Sequence, residues 1–373
     1  MKILIIPNNT ENNCYRLRNG LPKKYLEEKG HEVRLKLEFN SYNHPLHGHT
    51  IDPGKDFDWA KVIVFNRHYD IDPKYIISLM RYAKEQGKRV VYETDDMLDI
   101  LEPTNPVYQI MDKNTDQVKL MMMEADVCTT TGKFIADKIK NYNGNVRILP
   151  NCIVPSEWTP RPKKSKKIRV GWAGGCSHAE DLNLVIDAVK KLQEEIEFEF
   201  VIFGMTPEPW NDYISKLKKK HKENLKKRPN ANPAKWYQSM TTLEANLNKI
   251  KFIHEPFVPL KDYAKKLSEL DLDIGICPLV NNPFNNCKSV IKFYEYAMVD
   301  TVTLASNVTP YKEEVGLVVK NRYLKWKNAL KTLIEDKELR EGKLKEQKEF
   351  VLNNRVMKDN IDKWEKVYSE ITL

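Results

Sequence analysis

The chain has 373 residues, 41% hydrophobic and 10% aromatic, which is enough apolar material for two cores of ordinary size and rules out a wholly disordered chain. Its formal charge is +9, and the stretch from Lys216 to Arg228 alone holds eight basic residues against one acid, leaving the remainder close to balance. This excludes a protein that is basic throughout; the local run is either a solvated helix face or a footprint for an anionic partner such as nucleic acid or a lipid surface.

Six cysteines, at positions 14, 128, 152, 176, 277 and 287, form no C-x-x-C pair and no tight cluster, so buried thiols are expected rather than a disulfide framework or a metal site. The opening run Lys2-Ile3-Leu4-Ile5-Ile6-Pro7 is too short for the apolar core of a leader, and no stretch reaches membrane-spanning length. A soluble, cytoplasmic protein is the expectation.

Taken in chain order, Lys2–Ile6 reads as a strand, Leu21–Lys29 as a helix closed by Gly30, and Val33–Leu37 as a second strand. Val62–Phe65 is a third strand. A helix over Lys74–Gln86 stops at Gly87 and hands over to a strand at Arg89–Glu93. A helix through Met121–Glu124, a strand at Val127–Thr130, another helix and a short strand at Val146–Leu149 complete the first half. Alternation of this kind predicts a parallel sheet covered on both faces. Residues 1–155 are therefore read as one Rossmann-like domain.

The run from Pro155 to Lys167 is rich in proline and lysine without periodicity, and residues 156–167 are read as a linker. Alternation then restarts: strands at Ile168–Trp172, Glu197–Phe203, Lys251–His254, Ile274–Cys277 and Thr301–Ala305, helices at Asp181–Glu194, Leu260–Leu270 and Val290–Met298. Residues 168–354 form a second Rossmann-like domain, facing the first across a cleft. Over Arg355–Ile371, Val356, Ile361, Trp364, Tyr368 and Ile371 recur at near-helical spacing, which predicts an amphipathic helix packing back across the first domain.

Two constellations carry chemistry. Val170-Gly171-Trp172-Ala173-Gly174-Gly175-Cys176-Ser177-His178 follows the second half's first strand, where glycines let backbone approach a ligand and the next helix turns its free N–H groups toward an anion. The spacing is not that of a dinucleotide fingerprint, and Gly204 ends the next strand where a ribose-binding acid belongs, so a phosphate or diphosphate fits better than NAD. Such glycines also serve purely structural turns. The second constellation is Asn285-Asn286-Cys287-Lys288-Ser289-Val290-Ile291-Lys292-Phe293-Tyr294-Glu295-Tyr296. On helical spacing Lys288, Lys292 and Glu295 share a face, and lysines at a helix start oppose the macrodipole unless an anion sits there. A surface Lys–Glu pair is the plainer alternative.

These stretches resemble the GT-B retaining glycosyltransferases of the family 4 type. The resemblance rests on W-A-G-G-C-S-H-A-E-D-L, on C-K-S-V-I-K-F-Y-E-Y-A-M-V-D-T-V-T-L-A-S, on Leu149-Pro150-Asn151-Cys152-Ile153, and on the stretch from Tyr15-Arg16-Leu17 to Val33. It implies a GT-B fold with a C-terminal helix crossing back, and transfer of a hexosyl or pentosyl group from a nucleoside diphosphate sugar to a hydroxyl, with retention. Gly174 and Gly175 would hold the diphosphate, Ser289 would contact the donor, Lys288 and Lys292 would neutralise the diphosphate, and Glu295 would bind the ribose. No metal and no cofactor beyond the donor are implied. The chain departs from the pattern at Cys287, which stands where the first of two glutamates eight positions apart belongs, and at Cys152, in place of a glycine. The basic residue that often follows the glycine turn has no match unless His178 substitutes.

In the first half, Val90-Val91-Tyr92-Glu93-Thr94-Asp95-Asp96 ends a strand in adjacent acids that either face the cleft, orienting an acceptor hydroxyl or acting as base, or cap the following helix. His68, in Asn66-Arg67-His68-Tyr69-Asp70, is a second cleft candidate or a structural histidine. The acceptor is either a glycan or lipid-linked saccharide or a hydroxylated base of DNA, the latter suggested by the 216–228 segment beside Trp236 and Tyr237, read as exposed aromatics. A nucleotide-sugar epimerase, and a binding module that has lost catalysis, are the alternatives on the same architecture.

Overall fold

The structure, a computed structural model, describes the whole chain except residues 9–12, 37–39, 45–47, 53, 68–72, 107, 109–114, 206–211, 228–232 and 373. Two fully parallel sheets of six strands carry the fold. The strands of the first half are β1 (Lys2–Pro7), β2 (Glu32–Leu35), the hairpin strands β3 (Asn40–His44) and β4 (Gly48–Asp52), then β5 (Val62–Asn66), β6 (Arg89–Glu93), β7 (Val127–Thr130) and β8 (Val146–Ile148). Those of the second half are β9 (Arg169–Ala173), β10 (Glu199–Gly204), β11 (Ile253–Pro256), β12 (Ile274–Cys277), β13 (Val302–Ser306) and β14 (Val318–Val319). The near-continuous apolar runs of β1, β5 and β12 follow from burial on both faces.

The first sheet runs β2-β1-β5-β6-β7-β8, with β3 and β4 paired separately as an antiparallel hairpin absent from the sequence-based reading. The second runs β11-β10-β9-β12-β13-β14. In the second sheet the strand order reverses between β9 and β12, and ligands of open parallel sheets bind in the crevice beyond the strand ends at such a point. Both chemistry-bearing constellations lie there: the Gly174–Gly175 turn leaves β9, and the Asn285–Lys292 segment follows β12.

The C-terminal helix, Met357–Glu370, returns to the first half. Met357, Ile361, Trp364 and Tyr368 are buried in one apolar cluster with Ile3, Leu17, Leu26 and Val33. Lys29 pairs with Asp362 at 2.6 Å and with Glu365 at 2.7 Å, and Ile153 exchanges backbone hydrogen bonds with Arg355 and Met357, each 2.8 Å. Spacing of the buried residues at three and four positions makes this face continuous, as amphipathicity requires.

A second apolar contact ties the halves together. Phe284 and Cys287, from the loop after β12, are buried in the first half's cluster with Leu98, Leu101 and Ile139. Cys287 therefore points into apolar packing, where burial pushes its thiol up to about 12. The segment 156–167 contains no strand; its backbone N–H groups at Lys163, Lys164 and Ser165 converge on the buried Asp271 carboxylate at 2.6–2.8 Å, which pins it to the second half.

Candidate functional site

The glycine turn is built by small residues meeting large ones. At Gly174 an added Cβ would fall 2.4 Å from the Trp172 ring and 3.0 Å from Lys292 Nζ, so no larger residue fits between them. Gly204 has φ +95, and its position faces the Gly174 carbonyl; a Cβ there would lie 2.8 Å from that oxygen. Gly174 N–H donates to the Phe203 carbonyl at 3.0 Å. Gly175, in contrast, is exposed and would carry a Cβ into open space. A single turn at Cys176–His178 then leads into the fifteen-residue helix Ala179–Gln193, whose first turn faces the crevice.

Across this turn lies the helix Ile291–Met298. It is locked in place by Tyr296, whose ring occupies the space left at Gly275 and whose hydroxyl accepts from Ala173 N–H at 3.0 Å. That lock delivers Lys292 to the turn. Its ammonium sits 4.9 Å from the Trp172 ring centroid, half-buried, and makes neither ion pair nor hydrogen bond with a described residue. Burial lowers its pKa. A desolvated cation without a counter-ion, beside an exposed glycine turn and a helix N-terminus, is an anion-binding arrangement.

Lys288 does not share that helical face. A turn at Asn285–Cys287 and an extended Lys288 (φ −73, ψ 156) intervene before the helix, so spacing by four carries no meaning there. Lys288 instead lies over the Phe284 ring at 4.5 Å and reaches Asp96 Oδ1 at 3.4 Å. Ser289 Oγ accepts from Asn151 Nδ2 at 2.9 Å. Glu295 is buried, its Oε1 accepting from Asn13 Nδ2 at 3.1 Å and its Oε2 from the Tyr263 hydroxyl at 2.9 Å. Burial raises its pKa, against those two donors.

His178 does not act as a cationic substitute. Its Nδ1 bonds Asp181 Oδ2 at 2.8 Å, and burial, reinforced by the Lys292 charge, lowers its pKa to about 4. The ring is neutral near pH 7. Asp181, itself buried, also accepts from Val280 N–H at 2.7 Å and Asn285 Nδ2 at 3.0 Å, so the imidazole is part of the brace that joins the two loops.

On the opposite wall the structure brings Asp95 and Asp96 to the end of β6 but pairs both. Arg67 Nη1 donates to Asp95 Oδ1 at 2.6 Å and Arg67 Nη2 lies 3.6 Å from Asp96 Oδ2. Burial alone would raise the Asp95 carboxyl; Arg67 and the neighbouring Cys14 and Arg18 outweigh it and hold the pKa below the usual range. An ionised carboxylate locked to a guanidinium is a poor proton acceptor, which argues against Asp95 as a base. Neither acid caps a helix, since the following turn at Leu98–Ile100 takes no side-chain cap. Arg67 itself holds φ +48, a conformation that costs a non-glycine residue energy and concentrates at functional sites. His68 lies outside the described residues.

Sequence reasoning passed over Arg67, Asn13, Asn151, Trp172, Asp181 and Tyr263. Four of these sit inside stretches already singled out, Arg67 beside His68, Asn151 in the Leu149-Pro150-Asn151 run, and Trp172 and Asp181 in the run through the glycine turn; Asn13 and Tyr263 carry no local signal. Trp236, read as exposed, is instead buried in the second half's core, and His221 packs on both Trp236 and Tyr237, with ring centroids 5.4 and 4.9 Å away. Among the described residues no helix is long and apolar enough to cross a membrane, and no group of three or more His, Cys, Asp or Glu stands together as metal ligands.

No protein-family profile and no curated protein matches the chain by sequence. Solved structures do match over the full length. A glycosyltransferase from Rickettsia africae ESF-5 superposes with a TM-score of 0.64 at 14% identity, covering 99% of this chain and 98% of that one. An α-glucosyltransferase in complex with UDP and a 13-mer DNA containing an HMU base gives 0.60 at 11% identity over 98% and 99% of the two chains. The UDP-forming α,α-trehalose-phosphate synthase from Burkholderia vietnamiensis gives 0.61 at 10% over 100% and 97%. With two parallel six-stranded sheets, a cleft between their strand ends and a C-terminal helix that crosses back to the first half, this chain has the GT-B fold.

Proposed function

We propose that the chain is a glycosyltransferase, moving a sugar from a nucleoside diphosphate donor to a hydroxyl acceptor in the cleft between the sheets. The observation that carries this reading is Lys292: an ammonium with no described partner, held against Gly174 over Trp172. The diphosphate sits on the Gly174–Gly175 turn at the start of the Ala179–Gln193 helix. Lys292, joined by Lys288, stabilises the charge that grows on the departing phosphate, the electrostatic contribution that usually dominates such catalysis. Glu295 holds the ribose, retention follows from the family resemblance, and lysines and helix dipole take the place of a metal. Closure of the cleft excludes water and limits hydrolysis of the donor.

For the acceptor, one observation favours DNA. The helix Asp212–Lys227 presents Lys216, Lys219, Lys220, Lys222, Lys226 and Lys227 to solvent, while His221 turns inward. This lysine-rich exposed surface suits phosphates. A hydroxylated base of duplex DNA is the acceptor this favours, with a glycan hydroxyl as the other outcome.

Thermal-shift titration with UDP, GDP, ADP, CDP and TDP, with and without magnesium, tests the donor reading. Stabilisation by one of them that is independent of magnesium is expected, and Lys292→Ala weakens it by about tenfold or more. No stabilisation by any at millimolar concentration overturns the reading. DNA binding that falls steeply with salt supports the nucleic-acid acceptor, and salt-insensitive or absent binding returns the assignment to a glycan.

A further inference from the structure

Groups that the proposed function assigns to the donor are already bonded across the cleft. Lys288 Nζ faces Asp96 Oδ1 at 3.4 Å, and Glu295 Oε1 accepts from Asn13 Nδ2 at 3.1 Å. In each pair the first half offers what a donor would bring. The Asp96 carboxylate is an anion on a lysine, as a phosphate oxygen is; the Asn13 amide donates to a carboxylate, as a ribose hydroxyl does.

Both belong to one cluster. Asp96 Oδ2 lies 3.6 Å from Arg67 Nη2, and the same guanidinium bonds Asp95 at 2.6 Å and Cys14 Sγ at 3.1 Å. Cys14 adjoins Asn13 in the chain. Arg67, with φ +48, thus ties Asp95, Asp96 and Cys14 into one cluster. Further contacts close the cleft around it: Thr104 Oγ1 donates to Glu180 Oε2 at 2.6 Å, and Phe284 and Cys287 are buried in the first half's core. Of the two lysines assigned to the donor, Lys292 has no such partner among the described residues.

We infer that Asp96 and Asn13 are internal stand-ins for the donor, latching the cleft on Lys288 and Glu295 until a nucleoside diphosphate displaces them. The inference rests on the donor site proposed above. Lys292 makes the first contact with the diphosphate; Lys288 and Glu295 are then exchanged from protein to ligand. Because the latched form does not accept donor, apparent affinity is reduced by the fraction of molecules latched, and weakening the latch restores it. Removing the Asp96 charge thus tightens donor binding, opposite in sign to the loss of a group that contacts substrate or supports the fold.

The test is calorimetric titration of the full chain in magnesium-free buffer with UDP, GDP, ADP, CDP and TDP, the tightest then being carried through four variants. Asp96→Asn and Asn13→Ala are each expected to tighten binding about threefold to tenfold, and Lys288→Ala to weaken it. In the double variant Asp96→Asn/Lys288→Ala the tightening disappears, because it acts through Lys288. If the wild-type chain binds a diphosphate but neither latch variant tightens it, or Asp96→Asn tightens it equally without Lys288, the latch is overturned and the donor site stands. If no diphosphate binds the wild-type chain, the donor site and the latch fall together.

Discussion

The two walls of the cleft treat charge in opposite ways. On the first half's wall the buried ions are matched: Arg18 bonds Glu93 at 2.7 Å with both side chains almost fully buried, and Arg67 serves Asp95 and Asp96. On the second half's wall Lys292 is half-buried and, among the described residues, lies over an aromatic face with no counter-ion. Matched charges in a protein interior hold architecture, because each offsets part of the other's desolvation cost and removing one strands its partner; an unmatched one is tolerated where something else supplies the partner. The first wall is thus framework and the second is receptor, although a list of charged residues alone would rank the first higher.

The contrast breaks most visibly at Arg18. Its guanidinium also donates to the Leu149 carbonyl at 2.6 Å and Asn151 Oδ1 at 3.0 Å, and lies 5.6 Å from the Trp364 ring centroid of the returning helix. Arg18→Ala strands Glu93 in the core and is expected to cost roughly 3–5 kcal/mol, read as a lowered urea midpoint, whereas Arg18→Met with Glu93→Leu recovers most of it. A single-variant cost below about 1 kcal/mol would contradict the framework role.

A smaller effect tests His178. Its pKa falls from the ordinary 6.5 to about 4 on folding, so between those values the unfolded chain binds more protons and stability rises with pH. The contribution is fully present above about pH 6.5 and is lost as pH falls toward 4, of the order of 1–3 kcal/mol. Urea midpoints across this range should flatten in His178→Gln; an unchanged slope would mean the ring is not held neutral.

The glycines sharpen the comparison within the receptor wall. Gly174→Ala must displace Trp172 or Lys292 and is expected to cost about 1–3 kcal/mol, while Gly175→Ala, with open space at its Cβ, stays within about 0.5 kcal/mol. Equal costs would mean the turn is not braced as described. The smallest change is expected for Lys292→Met, whose thermal midpoint stays level or rises because a desolvated charge without a partner is removed. A marked fall in that midpoint would place Lys292 with the framework instead.

Much of the fold was legible because short strand-prone segments buried in parallel sheets leave little ambiguity: the segments at Arg89–Glu93, Val127–Thr130 and Ile274–Cys277 are strands with those bounds. The hairpin of β3 and β4 and the helices Tyr323–Glu335 and Lys337–Asn354 were not read: the hairpin lacks an apolar run and Lys337–Asn354 is mostly solvated, whereas Tyr323–Glu335 buries Trp326, Leu330, Leu333 and Ile334 at a helical spacing that went unread. The site was legible in its residue types and less so in its geometry. Counting by four put Lys288 on a helix, because periodicity cannot register the turn and extended residue that precede Ile291. Trp236 beside a lysine run looked exposed, since local composition is silent on which face a later helix covers.

By itself the sequence determined the alternation of elements, the glycine turn at a strand end, the returning apolar helix and the presence of lysines and a glutamate near one crevice. These are consequences of short-range sterics, period and burial, which a linear chain encodes directly. Only the tertiary structure decided which charges are satisfied. Asn13 meets Glu295 across 282 residues of chain, Asp96 meets Lys288 across 192, and Lys292 meets no described counter-ion. Charge pairing depends on distances of a few ångströms between elements from separate sheets, and no local pattern contains that information.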